Sequence, residues 1–222
     1  SRKDEVSSNF EKPAKLYLDW SSDESSFTHY DKEADKGKGA NVPYELGKVL
    51  FLMQRSTIKG WSEDHKSGIY AGEVKNLQEE PMTVKAFSGD TIAKGLYADI
   101  KEKVKDAGGK YTASVYVMTE DGEIINLQLK GIALKQWMDF TQKTRARLAD
   151  EWFSIKEIGE GKKGKVEYTF PVFQFDGSLT SKAGDLADEV YEELKEKLKP
   201  SARKADINDE AIDEELDEVD EF

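Results

Sequence analysis

Apolar side chains recur at every second position over several short stretches of this chain, the pattern of strands with one buried face. Residues 14–20 alternate through Leu16, Leu18 and Trp20, and residues 46–58 hold the run Val49-Leu50-Phe51-Leu52-Met53 before a break at Lys59-Gly60-Trp61. Residues 69–74 and 82–87 read as shorter strands around Pro81. Residues 110–118 and 123–130 alternate across Asp121-Gly122, a dipeptide suited to a tight hairpin turn. Residues 153–158 and 165–175 form a further hairpin, with 159–164 as its glycine- and lysine-rich loop.

The period changes to that of a helix in three places. Ile92, Leu96, Ile100 and Val104 recur at four-residue intervals within 90–107, and Gly108-Gly109 supplies a stop. Residues 133–151 put Leu134, Trp137, Met138, Thr141, Arg145 and Leu148 on one face. Trp137, Phe140 and Trp152 are expected in the core, whereas Lys143, Arg145 and Arg147 read as a solvated face or as part of a basic surface. Residues 183–199 carry Leu186, Val190, Leu194 and Leu198 as an apolar stripe, and Pro200 ends it. Residues 1–13 read as a loose arm, and the Ser-, Lys-, Asp- and Gly-rich stretch 21–41 as a long loop carrying Phe27, His29 and Tyr30.

A run of strands, one helix and two more strands is the order of a five-stranded oligonucleotide-binding (OB) barrel. An α+β sheet with a helix packed on one face is the rival arrangement. The expected fold is mainly β with α additions: an OB-type body over 14–199, extended by helices and a hairpin after 131, then a tail over 200–222.

Charge changes this picture at one end. The chain has 33 Lys and Arg against 45 Asp and Glu, a formal charge of −12. Ten of those acids lie between Asp206 and Glu221, so residues 1–205 hold 33 basic against 35 acidic side chains and are nearly neutral. Like charges at this density repel and cannot bury enough apolar surface to order the segment, so the tail is expected to be disordered. Ile207, Ile212, Leu216, Val219 and Phe222 punctuate it as anchors for a partner. A flexible polyanion with flat or apolar groups imitates a single nucleic-acid strand.

Other classes of function are excluded or disfavoured. Without cysteine there are no disulfides, thiolate zinc sites or cysteine nucleophiles, and two histidines argue against a histidine-rich metal centre. No apolar stretch is long enough to span a bilayer, and none follows Ser1-Arg2-Lys3 as a secretory leader would. A reducing, cytoplasmic setting fits. There is no glycine-rich phosphate loop, nucleophile elbow or paired-histidine zinc motif, and Glu63-Asp64-His65 reads as an exposed loop. Neither catalysis nor a cofactor is expected.

The candidate chemistry is instead aromatics interleaved with cations: His29, Tyr30, Arg55, Lys59, Trp61, Lys66, Tyr70 and Lys75, with Lys36, Lys38 and Tyr44 nearby. Proteins that hold single strands without sequence preference need cations along the backbone path and rings for stacking, each stacked base contributing about 1–3 kcal/mol. Trp61 leads the set, and His29 and Tyr30 follow. Tyr44 and Tyr70 read equally as strand residues with their rings in the core. Lys162-Lys163-Gly164-Lys165 is either a phosphate clamp or a solvated hairpin tip.

The tail, Asp213-Glu214-Glu215-Leu216-Asp217-Glu218-Val219-Asp220-Glu221-Phe222, together with the strand–helix–strand order over 14–130, resembles the single-stranded-DNA-binding proteins of bacteriophages. The resemblance implies an OB barrel that coats single-stranded DNA during replication, recombination and repair in an infected bacterial cytoplasm. It also implies that Leu216, Val219 and Phe222 dock on polymerase or helicase–primase partners. The helices and hairpin of 133–199 depart from the simplest members of that family and suit a barrel cap or a homodimer surface. Two other readings stand beside it: an acidic scaffolding or interaction protein with no nucleic-acid groove, and an RNA-binding protein on the same fold.

Overall fold

The computed structural model describes residues 12–199, so the acidic tail with Leu216, Val219 and Phe222, and most of the N-terminal arm, lie outside the described residues. The chain divides into two units. One is Ala14–Tyr191; the other joins Ser1–Pro13 to Glu192–Phe222.

Among the described residues eleven strands and three helices of ten residues or more form in this order, with a short helical turn at Ala34–Gly37: β1 (Leu16–Ser21), β2 (Ser26–Asp31), β3 (Ala40–Tyr44), β4 (Val49–Ser62), β5 (Ser67–Ala71), β6 (Met82–Ala86), β7 (Thr91–Gly95), α1 (Tyr97–Asp106), β8 (Gly109–Thr119), β9 (Ile124–Leu129), α2 (Gly131–Thr144), β10 (Glu151–Lys163), β11 (Val166–Ser178) and α3 (Ser181–Lys197). The main sheet is open and mixed, ordered β3-β2-β1-β9-β8-β4-β5-β6-β7. Only the β1–β9 neighbours run parallel. β10 and β11 make a long hairpin that pairs with the sheet at one bridge, Phe153 to Val49, and is also held to β1 by the Trp20 indole donating to the Thr169 carbonyl at 2.9 Å.

An open sheet of this order replaces the closed five-stranded barrel expected from sequence. Closure fails because β3 and β7, at the ends of the order, each pair with one neighbour. Stretch 21–41 is not a loop either. The alternating run Ser26–Asp31 pairs with β1 and with β3, which places His29 and Tyr30 in a strand. Residues 90–95 leave the expected helix, because Ile92 belongs to β7 against β6 and α1 starts at Tyr97. The second expected helix ends early, and Arg145–Arg147 forms a single 3₁₀ turn before β10. The loop expected over 159–164 is mostly strand, with only Gly164 and Lys165 left between β10 and β11.

Two apolar clusters share one face of the sheet. In the first, Trp137 of α2 is 1% exposed among Phe51, Phe140, Phe153 and Phe173, with ring centroids 5.3–6.2 Å away. Its indole N–H donates to Gln54 Oε1 at 2.9 Å, so the one polar atom of a buried ring is satisfied. In the second, Ile100 and Val104 of α1 pack with Ile58, Ile69, Val84 and Ile92. Met138, expected on the buried face of α2, is instead 57% exposed.

A bulge sets which face β4 gives to these cores. Phe51 is opposite Val117 and Met53 is opposite Tyr116, so Leu52 is an extra residue in the ladder. Before it, odd-numbered Val49 and Phe51 join the first core; after it, even-numbered Ile58 joins the second. Odd-numbered Arg55, Thr57, Lys59 and Trp61 thereby fall on the opposite face.

Trp137→Ala should cost about 3–5 kcal/mol, as truncation of a buried aromatic does. Trp61→Ala, 55% exposed, should cost less than about 0.5 kcal/mol. Urea unfolding followed by circular dichroism measures both, and equal losses would contradict this placement of the core.

Candidate nucleic-acid interface

Residues directly opposite in neighbouring strands share a face, so the register places side chains across the sheet. Lys59 is opposite Lys110 on one side and Tyr70 on the other, and Tyr70 is opposite Lys85. The row Lys110–Lys59–Tyr70–Lys85 thus crosses four strands with three ammonium groups and one ring. The adjoining row pairs Trp61 with Gly68. A third row on the same face runs Arg55–Ser114–Gln128–Asp19–Thr28.

The rings of this face are presented rather than packed away. Trp61 is 55% exposed, Phe87 74% and Tyr70 39%. Phe87 stacks on Tyr70 with centroids 5.1 Å apart and planes 21° apart. The same ring lies over Gly68, where a Cβ would come within 2.4 Å of it. Glycine in the middle of a strand is costly, and here it makes room for an aromatic platform between Trp61 and Tyr70. Tyr30, 61% exposed, is seated the same way over Gly39, which has a φ of +80°.

A groove of about 650 Å³ is lined by Lys59, Trp61, Tyr70, Phe87, Lys110 and Lys130, with Glu63 at its side. A second depression, about 440 Å³, shares Lys59 and Lys130 and continues to Asp19, Gln128, Tyr30 and Asn41. The two are therefore continuous through the lysine pair. Lys130 is held by Asp19 at 2.7 Å, and Lys59 donates to Gln128 Oε1. Burial pushes the Lys59 ammonium below its ordinary pKa, and the Lys130 charge adds to this while Asp19 and Glu73 oppose it. This cation is partly stripped of water.

Beneath the groove the sheet face is polar yet closed. Ser114 and Asn126 are fully buried, and Gln128 is 3% exposed. Glu73, from the segment after β5, accepts from Ser114 and, at 2.8 Å, from Tyr116, while Asn126 donates to Ser114 Oγ at 2.7 Å. Burial and then the Glu73 carboxylate hold the Tyr116 hydroxyl far above its ordinary pKa, so it remains a donor. The network ties Glu73, Ser114, Tyr116 and Asn126 together, and leaves Asn126 Oδ1 buried without a hydrogen-bond partner among the described residues.

The sequence-chosen residues separate on this framework. Lys59, Trp61 and Tyr70 come together on β4 and β5, and Tyr30 joins them through the second depression. His29 borders the same depression, but its ring is edge-on to Tyr44 at 6.3 Å, on the other side of β2 from Tyr30. Arg55 shares the face beside Ser114 without lining the groove. Lys66 pairs with Glu63 at the β4–β5 turn, and Lys75 lies in the exposed segment whose amides bond Glu80. Phe87, Lys85, Lys110 and Lys130 were not picked out from sequence, because only cross-strand register carries them to Lys59. His65 sits beside Asp90 at 3.2 Å on the surface.

Among the described residues no three His, Cys, Asp or Glu side chains converge on a metal site, and no helix is long and apolar enough to cross a membrane. Comparison with protein-family models, curated proteins and solved structures returned no match.

Lys59 gives a check on this geometry that needs no ligand. Its folded pKa is depressed, so the fold disfavours its charged form; the penalty is full below that pKa and fades as pH rises through it toward the ordinary value. Lys59→Met should keep or raise the urea midpoint at neutral pH, and its advantage over wild type should shrink as pH rises into that window. A lower midpoint at neutral pH would show that the ammonium is not strained.

Proposed function

We propose that this face binds single-stranded DNA without strong sequence preference. The observation that carries the reading is the coincidence of two adjacent rows on one sheet face: Lys110–Lys59–Tyr70–Lys85, and beside it Trp61 and Gly68, with Phe87 over Gly68 and stacked on Tyr70. Cations at strand spacing take phosphates, while exposed rings take bases through their π-faces, which every base offers. Duplex DNA hides those faces in its stack, so it gains the electrostatic part alone. The role is the one implied by the likeness of the acidic tail to that of phage single-stranded-DNA-binding proteins, here on an open sheet in place of a barrel.

The acidic tail completes the proposal. Ten carboxylates tethered to the same chain reach the groove at an effective concentration of about millimolar and compete with short or weak strands. Long single-stranded DNA displaces them, and Leu216, Val219 and Phe222 are then free for polymerase or helicase–primase partners. Competition between charges fades beyond about 8 Å at physiological salt, so it weakens as salt rises.

Tryptophan fluorescence on titration with oligo-dT, oligo-U and duplex DNA tests the groove. Wild type should be quenched by oligo-dT with a steep salt dependence, and Trp61→Ala should weaken binding about tenfold, the loss of one stacked base. Unaltered affinity in Trp61→Ala, or no binding at low salt, overturns the reading; equal affinity for oligo-U makes the ligand single-stranded nucleic acid in general. Deleting Asp206 to Phe222 should tighten oligo-dT binding most at low ionic strength, and identical affinities across salt would remove the tail from the mechanism.

A further inference from the structure

Lys110 faces two depressions. One is the groove; the other, about 350 Å³, lies against α1 and is lined by Tyr97, Lys101, Glu102, Lys105, Lys110 and Tyr111. Lys101 and Lys105 are one turn apart on α1, so two like charges project to the same side of the helix at a cost to its stability. The last turn of α1 contains Lys103 and Lys105, where cations offset the terminal carbonyls, but Lys101 lies outside it. Lys101, Lys105 and Lys110 have no ion pair among the described residues. Some lysines elsewhere on the surface do, Lys15 with Glu123, Lys66 with Glu63, Lys135 with Asp139 and Lys162 with Glu167, while exposed Lys75, Lys94 and Lys103 share the unpaired state.

The rings repeat the pattern. Tyr97 and Tyr111 meet with centroids 5.7 Å apart and planes at 47°, and both are half-buried beside the lysines. Tyr111 is fixed from behind by Ser56 Oγ at 3.1 Å from its hydroxyl. The cleft thus sets three cations and two aromatic rings beside one acid, Glu102, and shares Lys110 with the groove.

We infer that the α1 cleft is a second subsite for the same single strand, which leaves the groove over Lys110 and presents successive phosphates to Lys105 and Lys101. This rests on the groove reading. It assigns the ligand class, a nucleic-acid strand longer than the groove holds, and gives the path a direction away from the tyrosine at position 30.

The experiment compares the full chain with Lys101→Glu/Lys105→Glu on dT oligonucleotides of about six and about fifteen nucleotides, lengths that span the usual site sizes. Both positions are exposed, and equal thermal midpoints check that the variant folds. The variant should bind the short oligonucleotide within about twofold of wild type and the long one about tenfold more weakly. Its log–log salt slope on the long one should be shallower by about 1.4, two phosphate contacts at about 0.7 each. The milder Lys101→Ala/Lys105→Ala should lose less in the same order. Equal weakening at both lengths, or none at either, overturns the subsite while leaving the groove intact. Failure of the wild type to bind either length defeats the groove reading, and the subsite with it.

Discussion

A single extra residue in β4 governs the arrangement of this molecule. Strand pairing has a period of two, so β4 without a bulge would send Lys59 and Trp61 to the same side as Val49 and Phe51, into the cores. The insertion at Leu52, between the pairs Phe51–Val117 and Met53–Tyr116, reverses the phase once. Val49 and Phe51 can then pack around Trp137 while Ile58 packs under α1, and the polar positions of the second half turn to the open face. β4 also holds the most partners, with β8 along nearly its whole length, β5 at its end and β10 at its start. Core and groove are therefore not independent: one shift of register would damage both.

The polar floor follows from that phase. Thr57, Thr112, Ser114, Asn126 and Gln128 line one face with almost no exposure, which is unusual for such residues. Most are satisfied locally, Thr57 by the Ala71 carbonyl at 2.8 Å and Ser114 by Glu73. Bonds of this kind hold the face beside Lys59 in place. The partial burial of the Lys59 ammonium works against its charged form.

Much of the scaffold was legible because strong periodicity and strong turns act locally. The β8–β9 hairpin around Asp121-Gly122 and the helices at Trp137 and Val190 declare themselves within a few residues. Others did not, for identifiable reasons. Ile92 falls four residues before Leu96 by coincidence, which extended a helical pattern back across β7. β2 and β3 are polar on their open face and flanked by Ser, Lys, Asp and Gly, so their alternation was diluted. Lys59-Gly60-Trp61 read as a break because glycine weakens a strand; here Gly60 is demanded by the Gly108 carbonyl, 2.2 Å from where its Cβ would lie. Lys59, Trp61 and Tyr70, close in sequence, line one groove. Lys110, Lys130 and Phe87 reach them through pairings between distant segments, which no local pattern encodes.

An open sheet has two margins where backbone donors and acceptors face outward, and such margins invite growth by further strands. Both are short, five residues each at β3 and β7. β3 contains Pro43, which has no amide hydrogen to offer, and β7 has Lys94 exposed along its length. Copies of this chain brought side by side would thus meet at margins poorly suited to zipping into a continuous ribbon.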